Sequence, residues 1–136
     1  MPIPYSASLH GRRVLVVEDS YLIAQELTEA LEREGADVIG PVSTLEDARR
    51  LAYETPKLDA AVLDVNLRGE MVWPVADLLA DRHVQLLFAT AYAAAPIKER
   101  YSGCQVVQKP APPRMIVRLL SSERLATPQD PLEGPR

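Results

Sequence analysis

The chain has 136 residues, 47% hydrophobic and 25% charged, with a formal net charge of −4. That length suits one domain with its own core, and the acidic balance argues against nucleic-acid binding, which calls for a basic face. A single cysteine, Cys104, excludes an internal disulfide framework and a thiolate metal cluster. No apolar run reaches the length of a membrane span, and no leader pattern opens the chain, so the expected location is the cytoplasm.

Residues 1–11 carry two prolines and small polar residues and read as a flexible arm. The expected domain is 12–125. Residues 13–17 (Arg-Val-Leu-Val-Val) form a strand-like run that ends in Glu18 and Asp19. Helical spacing follows over 20–34, with Ile23, Leu27, Ala30 and Leu31 on one stripe and Gly35 as the stop. Residues 37–42 are a strand candidate broken by Gly40-Pro41, which suits a sheet edge. Ser43-Thr44-Leu45-Glu46 has a capping-box pattern and opens a helix to about residue 54, with Leu45, Ala48, Leu51 and Ala52 inward.

The third strand carries the argument. Residues 60–63 are apolar without a break and stop at Asp64. Such a run fits a strand buried on both faces of a parallel sheet, although an isolated Asp in that place more often caps the next turn. A loop with Gly69 comes next, then a helix over 74–81 opened by Pro74, with Val75, Leu78 and Leu79 inward. Residues 84–89 form the fourth strand, ending at Thr90. A weaker helical stretch, interrupted by Pro96, covers roughly 93–101. Residues 104–107 form the fifth strand, ending at Gln108-Lys109-Pro110. A last helix runs from Pro113 to about residue 123, with Ile116, Leu119 and Leu120 inward. Residues 126–136, with three prolines, read as a disordered tail. Trp73 reads as a packing anchor and Cys104 as a core residue.

Strands alternating with helices imply an α/β fold, a doubly wound five-stranded parallel sheet of flavodoxin-like order 2-1-3-4-5. That order gathers Glu18, Asp19, Asp64, Thr90 and Lys109 at one rim. Three carboxylates crowded together repel each other, and a divalent cation removes the conflict. Oxygen ligands without His or Cys point to Mg²⁺ or Mn²⁺, which favours carboxylates plus a phosphate oxygen. Phosphoryl transfer is the chemistry such a set supports. Asp64 is the nucleophile, and Lys109 and the Thr90 hydroxyl neutralise and hold the phosphoryl oxygens. Taken singly, Glu18-Asp19 could be helix N-terminal charge, Thr90 a turn hydroxyl and Lys109 a surface lysine.

Glu18-Asp19, Asp64, Thr90 and Lys109-Pro110, each after its own strand, resemble the receiver domain of bacterial two-component response regulators over roughly residues 13–123. The resemblance implies a phosphoacceptor Asp64 and Mg²⁺ held by Asp19 and Asp64, with Glu18 acting directly or through water and Asn66 through its backbone carbonyl. It also implies a cis Lys109-Pro110 bond that aims the lysine inward. A histidine kinase or histidine phosphotransfer protein would supply the phosphoryl group. The protein would be a signalling switch rather than an enzyme, acting on its own phosphorylation at most. No segment after residue 123 is long enough for an output domain, so output by contact with a downstream protein is expected, although a proline-rich end also resembles a linker in a longer regulator. A homodimer through the last two helices and the fifth strand is a further implication.

This chain departs from the family pattern in places. The position three before the lysine, usually an aromatic switch, is Val106, and the position four after the phosphoacceptor, often proline, is Arg68. Phe88-Ala89-Thr90-Ala91-Tyr92 is similar instead to the FATGUY subgroup, with Ala91 in place of its glycine. Tyr92 and the weak fourth helix are therefore expected to carry the response. Two alternatives compete with the switch. One is a receiver-shaped interaction module that is never phosphorylated. The other is a Mg²⁺-dependent phosphatase with an Asp nucleophile, but its second acid would fall at Asn66.

Overall fold

The computed structural model describes residues 8–126, with side chains through residue 121. Parallel strands β1 (Arg13–Val17), β2 (Asp37–Val42) and β3 (Ala60–Asp64) are followed by a two-strand hairpin, β4 (Asn66–Leu67) and β5 (Glu70–Met71), and then by β6 (Gln85–Thr90) and β7 (Gln105–Gln108). Helices α1 (Tyr21–Arg33), α2 (Leu45–Glu54), α3 (Trp73–Asp81), α4 (Ala95–Arg100) and α5 (Pro113–Ala126) lie between and after them. The main sheet has the order β2-β1-β3-β6-β7, every pair parallel. This is the expected doubly wound order once the hairpin strands are set aside.

Alternation along the strands divides the core. Val14, Val16, Ala60, Val62, Leu87, Ala89 and Val107 face α1 and α5, where they meet Leu27, Leu31, Ile116 and Leu120. Leu15, Val17, Ala61, Leu63, Leu86 and Phe88 face α2, α3 and α4. β3 is buried at all five positions, as a central strand covered on both faces must be. Phe88, Trp73 and Tyr101 form an aromatic cluster under α4, with ring centroids 5.1–6.1 Å apart.

Several boundaries differ from those expected. Residues 8–11 are not a loose arm but a turn: Leu9 is fully buried, its N–H donates to the Glu34 carbonyl, and the Gly11 N–H donates to Gly35. Gly35 is at φ 92, and a Cβ there would stand 2.9 Å from the His10 Cα, so only glycine lets the turn close on α1. The rest of the expected arm, and the expected tail from 127 onward, lie outside the described residues; Ala126 is the last residue of α5.

β2 is an edge strand as expected. It is not broken at Gly40-Pro41 but runs through, with a bulge-like register shift against β1. α2 is capped by Thr44, whose hydroxyl accepts from the Asp47 N–H, one residue later than the capping-box pattern places it. Ile23 was expected inward but is 40% exposed, and Ala24 takes its place on the buried face of α1. Pro96 does not interrupt α4. It sits in the first turn of a six-residue helix, where its missing N–H costs nothing.

The loop after β3 holds the hairpin that its sequence did not announce. Leu67 pairs with Glu70 across a two-residue turn, Arg68-Gly69, with φ of 55 and 96. Positive φ at both turn positions marks the primed turn whose twist suits adjacent strands. The Asn66 side chain accepts the Gly69 N–H at 2.6 Å and closes the turn locally.

Candidate functional site

Parallel pairing puts the C-terminal ends of β1, β3, β6 and β7 on one rim, and the site follows from that register. Asp64 is the last residue of β3 and stands beside Ala89, one residue before Thr90 at the end of β6. Thr90 in turn pairs with Gln108, one residue before Lys109. Glu18 follows β1 directly, and its N–H donates to the Val42 carbonyl of β2. The Lys109-Pro110 peptide is cis.

Lys109 Nζ donates to Asp64 Oδ2 at 3.3 Å and to both Glu18 carboxylate oxygens at 3.4 Å. Glu18 and Asp64 are 6% and 5% exposed. Together with Asp19, they offer carboxylate oxygens that all lie within 4.8 Å of one another. Burial, then the Glu18 charge, pushes the Asp64 carboxyl up to about 7, with Asp19 adding to the shift and Lys109 opposing it. Burial works against the Lys109 ammonium, but Glu18 and Asp64 outweigh it and hold its pKa above that of a free lysine. The cluster therefore carries more negative charge than one lysine balances. All-oxygen donors at this spacing fit a divalent metal ion.

Asp19, Asp64, Asn66, Arg68, Thr90, Tyr92 and Lys109 line an open cleft of about 350 Å³. The Thr90 hydroxyl accepts the Tyr92 N–H at 2.9 Å, and the Asn66 amide donates to the Tyr92 hydroxyl at 3.4 Å. Tyr92 is 56% exposed. Val106 stands opposite Phe88 in the β6–β7 register and packs against the core under α4, away from these hydrogen bonds. The sequence marks Arg68 only as a departure from the family pattern. Its guanidinium crosses the cleft mouth and donates to the Asp19 carbonyl at 3.4 Å. On the other side of Lys109, an apolar groove of about 340 Å³ separates α1 from residues 110–113.

A doubly wound sheet whose rim gathers an acidic triad, a buried hydroxyl and a lysine defines a receiver domain. No family model matches the chain. It is 31% identical to the transcriptional regulatory protein PdtaR of Mycobacterium tuberculosis over 90 residues, which are 65% of this chain and 43% of PdtaR. The solution structure of SdrG from Sphingomonas melonis Fr1 is similar at 36% identity and a TM-score of 0.68, covering 84% of this chain and 97% of SdrG. A response regulator receiver protein from Sinorhizobium medicae WSM419 shares the fold at a TM-score of 0.72 and 17% identity, covering 85% of this chain and 95% of that one.

The chain belongs to the response regulator receiver domains. It spans less than half the length of the curated relatives it matches. Among the described residues, no helix is long and apolar enough to cross a membrane.

Proposed function

We propose that the chain is a cytoplasmic phosphoacceptor switch that takes a phosphoryl group onto Asp64 from a histidine kinase or histidine phosphotransfer protein and acts by protein–protein contact. The observation that carries this reading is Lys109 Nζ within 3.4 Å of both Asp64 and Glu18, beside the Thr90 hydroxyl. The ionised Asp64 Oδ attacks the donor phosphorus, the P–N bond breaks, and its electron pair stays on the imidazole nitrogen; the ring, protonated at its other nitrogen in the donor, departs neutral. Lys109 keeps one phosphoryl oxygen neutralised, and Thr90 turns its hydroxyl toward another.

Glu18, Asp19 and Asp64, with the Asn66 backbone carbonyl, would hold Mg²⁺. A bound Mg²⁺ supplies charge neutralisation and in-line orientation at the phosphoryl oxygens. The apolar groove and the exposed Tyr21 and Leu22 at the start of α1 are where a donor protein would seat, next to Asp64. The FATGUY resemblance rests on residues 88–92, and in this reading Tyr92 and α4 transmit the response that Val106 is too short to make.

Mass spectrometry after incubation with acetyl phosphate and Mg²⁺ tests the reading, with Asp64→Asn as control. One added phosphoryl mass, absent from the variant, is the expected result. An unmodified wild-type chain would overturn it.

A further inference from the structure

We infer that Arg68 is a second cationic clamp for the phosphoryl group, a positioning residue for the proposed transfer reaction on whose occurrence this inference rests.

Two independent observations lead there. The first is backbone conformation. Arg68 occupies the first central position of a primed turn at φ 55, a region that favours Gly, Asn or Asp and is uncommon for a long side chain. A residue kept in such a conformation calls for a reason outside the turn itself. The second is placement. The turn lifts the guanidinium over the mouth of the cleft that Asp64, Thr90 and Lys109 line, where it bridges to the Asp19 carbonyl on the facing loop. That bond, at 3.4 Å, is long and made to a neutral acceptor, so a better acceptor arriving in the cleft would draw the guanidinium away from it.

Charge supplies the motive. Glu18, Asp19 and Asp64 with Lys109 and one divalent cation sum to zero. Converting the Asp64 carboxylate to an acyl phosphate dianion leaves one negative charge in excess. Arg68 lines this cleft and brings one positive charge. A planar guanidinium can also offer two parallel N–H groups to two oxygens of a tetrahedral group, which the lysine cannot. Arg68 forms and breaks no covalent bond in this scheme; it trades a carbonyl acceptor for phosphoryl oxygens.

The same charge count separates a clamp from a merely structural residue. Removing the guanidinium takes a positive charge away from the acidic cluster, so Mg²⁺ alone should bind the Arg68→Gln chain as tightly as wild type or more so. Beryllium fluoride with Mg²⁺, a tetrahedral phosphoryl mimic on a carboxylate, should bind Arg68→Gln roughly tenfold more weakly, the scale of one exposed charge-assisted contact. Arg68→Lys should recover only part of the loss, and Arg68→Asn, which suits the turn, should be as weak as Arg68→Gln. Calorimetry of Mg²⁺ and ¹⁹F NMR of the bound fluoride read the two affinities. Equal mimic affinity in wild type and Arg68→Gln overturns the inference, as does a parallel loss of Mg²⁺ and mimic binding. If wild type takes up neither the mimic nor a phosphoryl mass, the receiver-switch reading falls and the clamp with it. Phosphorylation that is normal in wild type and unchanged in Arg68→Gln removes the clamp alone.

Discussion

Lys109 Nζ and Asp64 Oδ2 meet at 3.3 Å across 45 residues of chain, and the lysine is 25% exposed while its partner is nearly sealed. The ammonium is thus the group that lets two acids share a buried rim. Replacing it leaves Glu18 and Asp64 facing each other uncompensated. Lys109→Ala should lower the metal-free stability at pH 8 by about 2 kcal/mol, below the ~3–5 kcal/mol for breaking a fully buried pair because the lysine keeps some water. Urea unfolding reads the change, and a loss under about 0.5 kcal/mol would show that the acids are solvated.

Asp64 carries the opposite sign. Its folded-state pKa of about 7 lies above the ordinary 3.8, so between those values the folded chain holds a proton that the unfolded chain has released. Stability from this group is present at the acid end of the window and lost as the pH rises to about 7. Metal-free wild type should therefore melt lower at pH 8 than at pH 5.5, and Asp64→Asn should flatten that slope and gain at least ~1 kcal/mol at pH 8. Lys109, held above the ordinary lysine range, keeps its charge throughout and adds no slope there. An identical pH profile in both chains would remove the repulsion argument.

Divalent metal binding should stabilise through mass action. At tenfold excess over its dissociation constant, Mg²⁺ should add about 1.4 kcal/mol, and the midpoint should keep climbing with concentration. Asp19→Asn should blunt the response, since Asp19 supplies one of the three clustered carboxylates. Thermal melts in Mg²⁺ and in K⁺ of equal ionic strength separate specific binding from screening.

Tyr101 ties α4 to α3. Its hydroxyl donates to Asp77, which also pairs with Arg100 at 3.0 Å, while the ring packs on Trp73 and Phe88. Tyr101→Phe removes the hydrogen bond and keeps the ring. It should cost about 1 kcal/mol and speed amide exchange in Ala95–Arg100 more than in β3. Uniform acceleration across the sheet would mean that the bond supports the whole fold and not the helix.

Tyr92 links the rim to the segment before α4 through Thr90 and Asn66. In Tyr92→Ala, phosphorylation should persist while the shift changes it causes in α4 shrink. A variant that phosphorylates and moves α4 resonances like wild type would assign the transmission elsewhere.

The strands that build the rim could be read from the chain because each is an unbroken apolar run ending in a charged or polar group, and parallel pairing then leaves little freedom in where those groups go. Asp64, Glu18, Thr90 and Lys109 were legible for that reason. The β4–β5 hairpin was not, since two-residue strands have no periodicity; Gly69 was its sole signal, and it reads equally as a loop. Arg68 was noted for interrupting a family pattern, but its left-handed backbone and its place over the cleft depend on that hairpin. Leu9 was hidden among prolines and serines, in a short stretch whose composition reads as an arm. α4 came out short because Pro96 begins a helix as readily as it disturbs one.

The burial of Leu9 reaches beyond the rim. Its side chain fills the α1–α5 layer with Leu31, Ile116 and Leu120, and its backbone is tied to the end of α1. Anyone grafting this receiver onto another protein and joining it at Arg12, just ahead of the first strand, would pull a plug from the floor of the layer farthest from Asp64. The junction belongs upstream of Ser8.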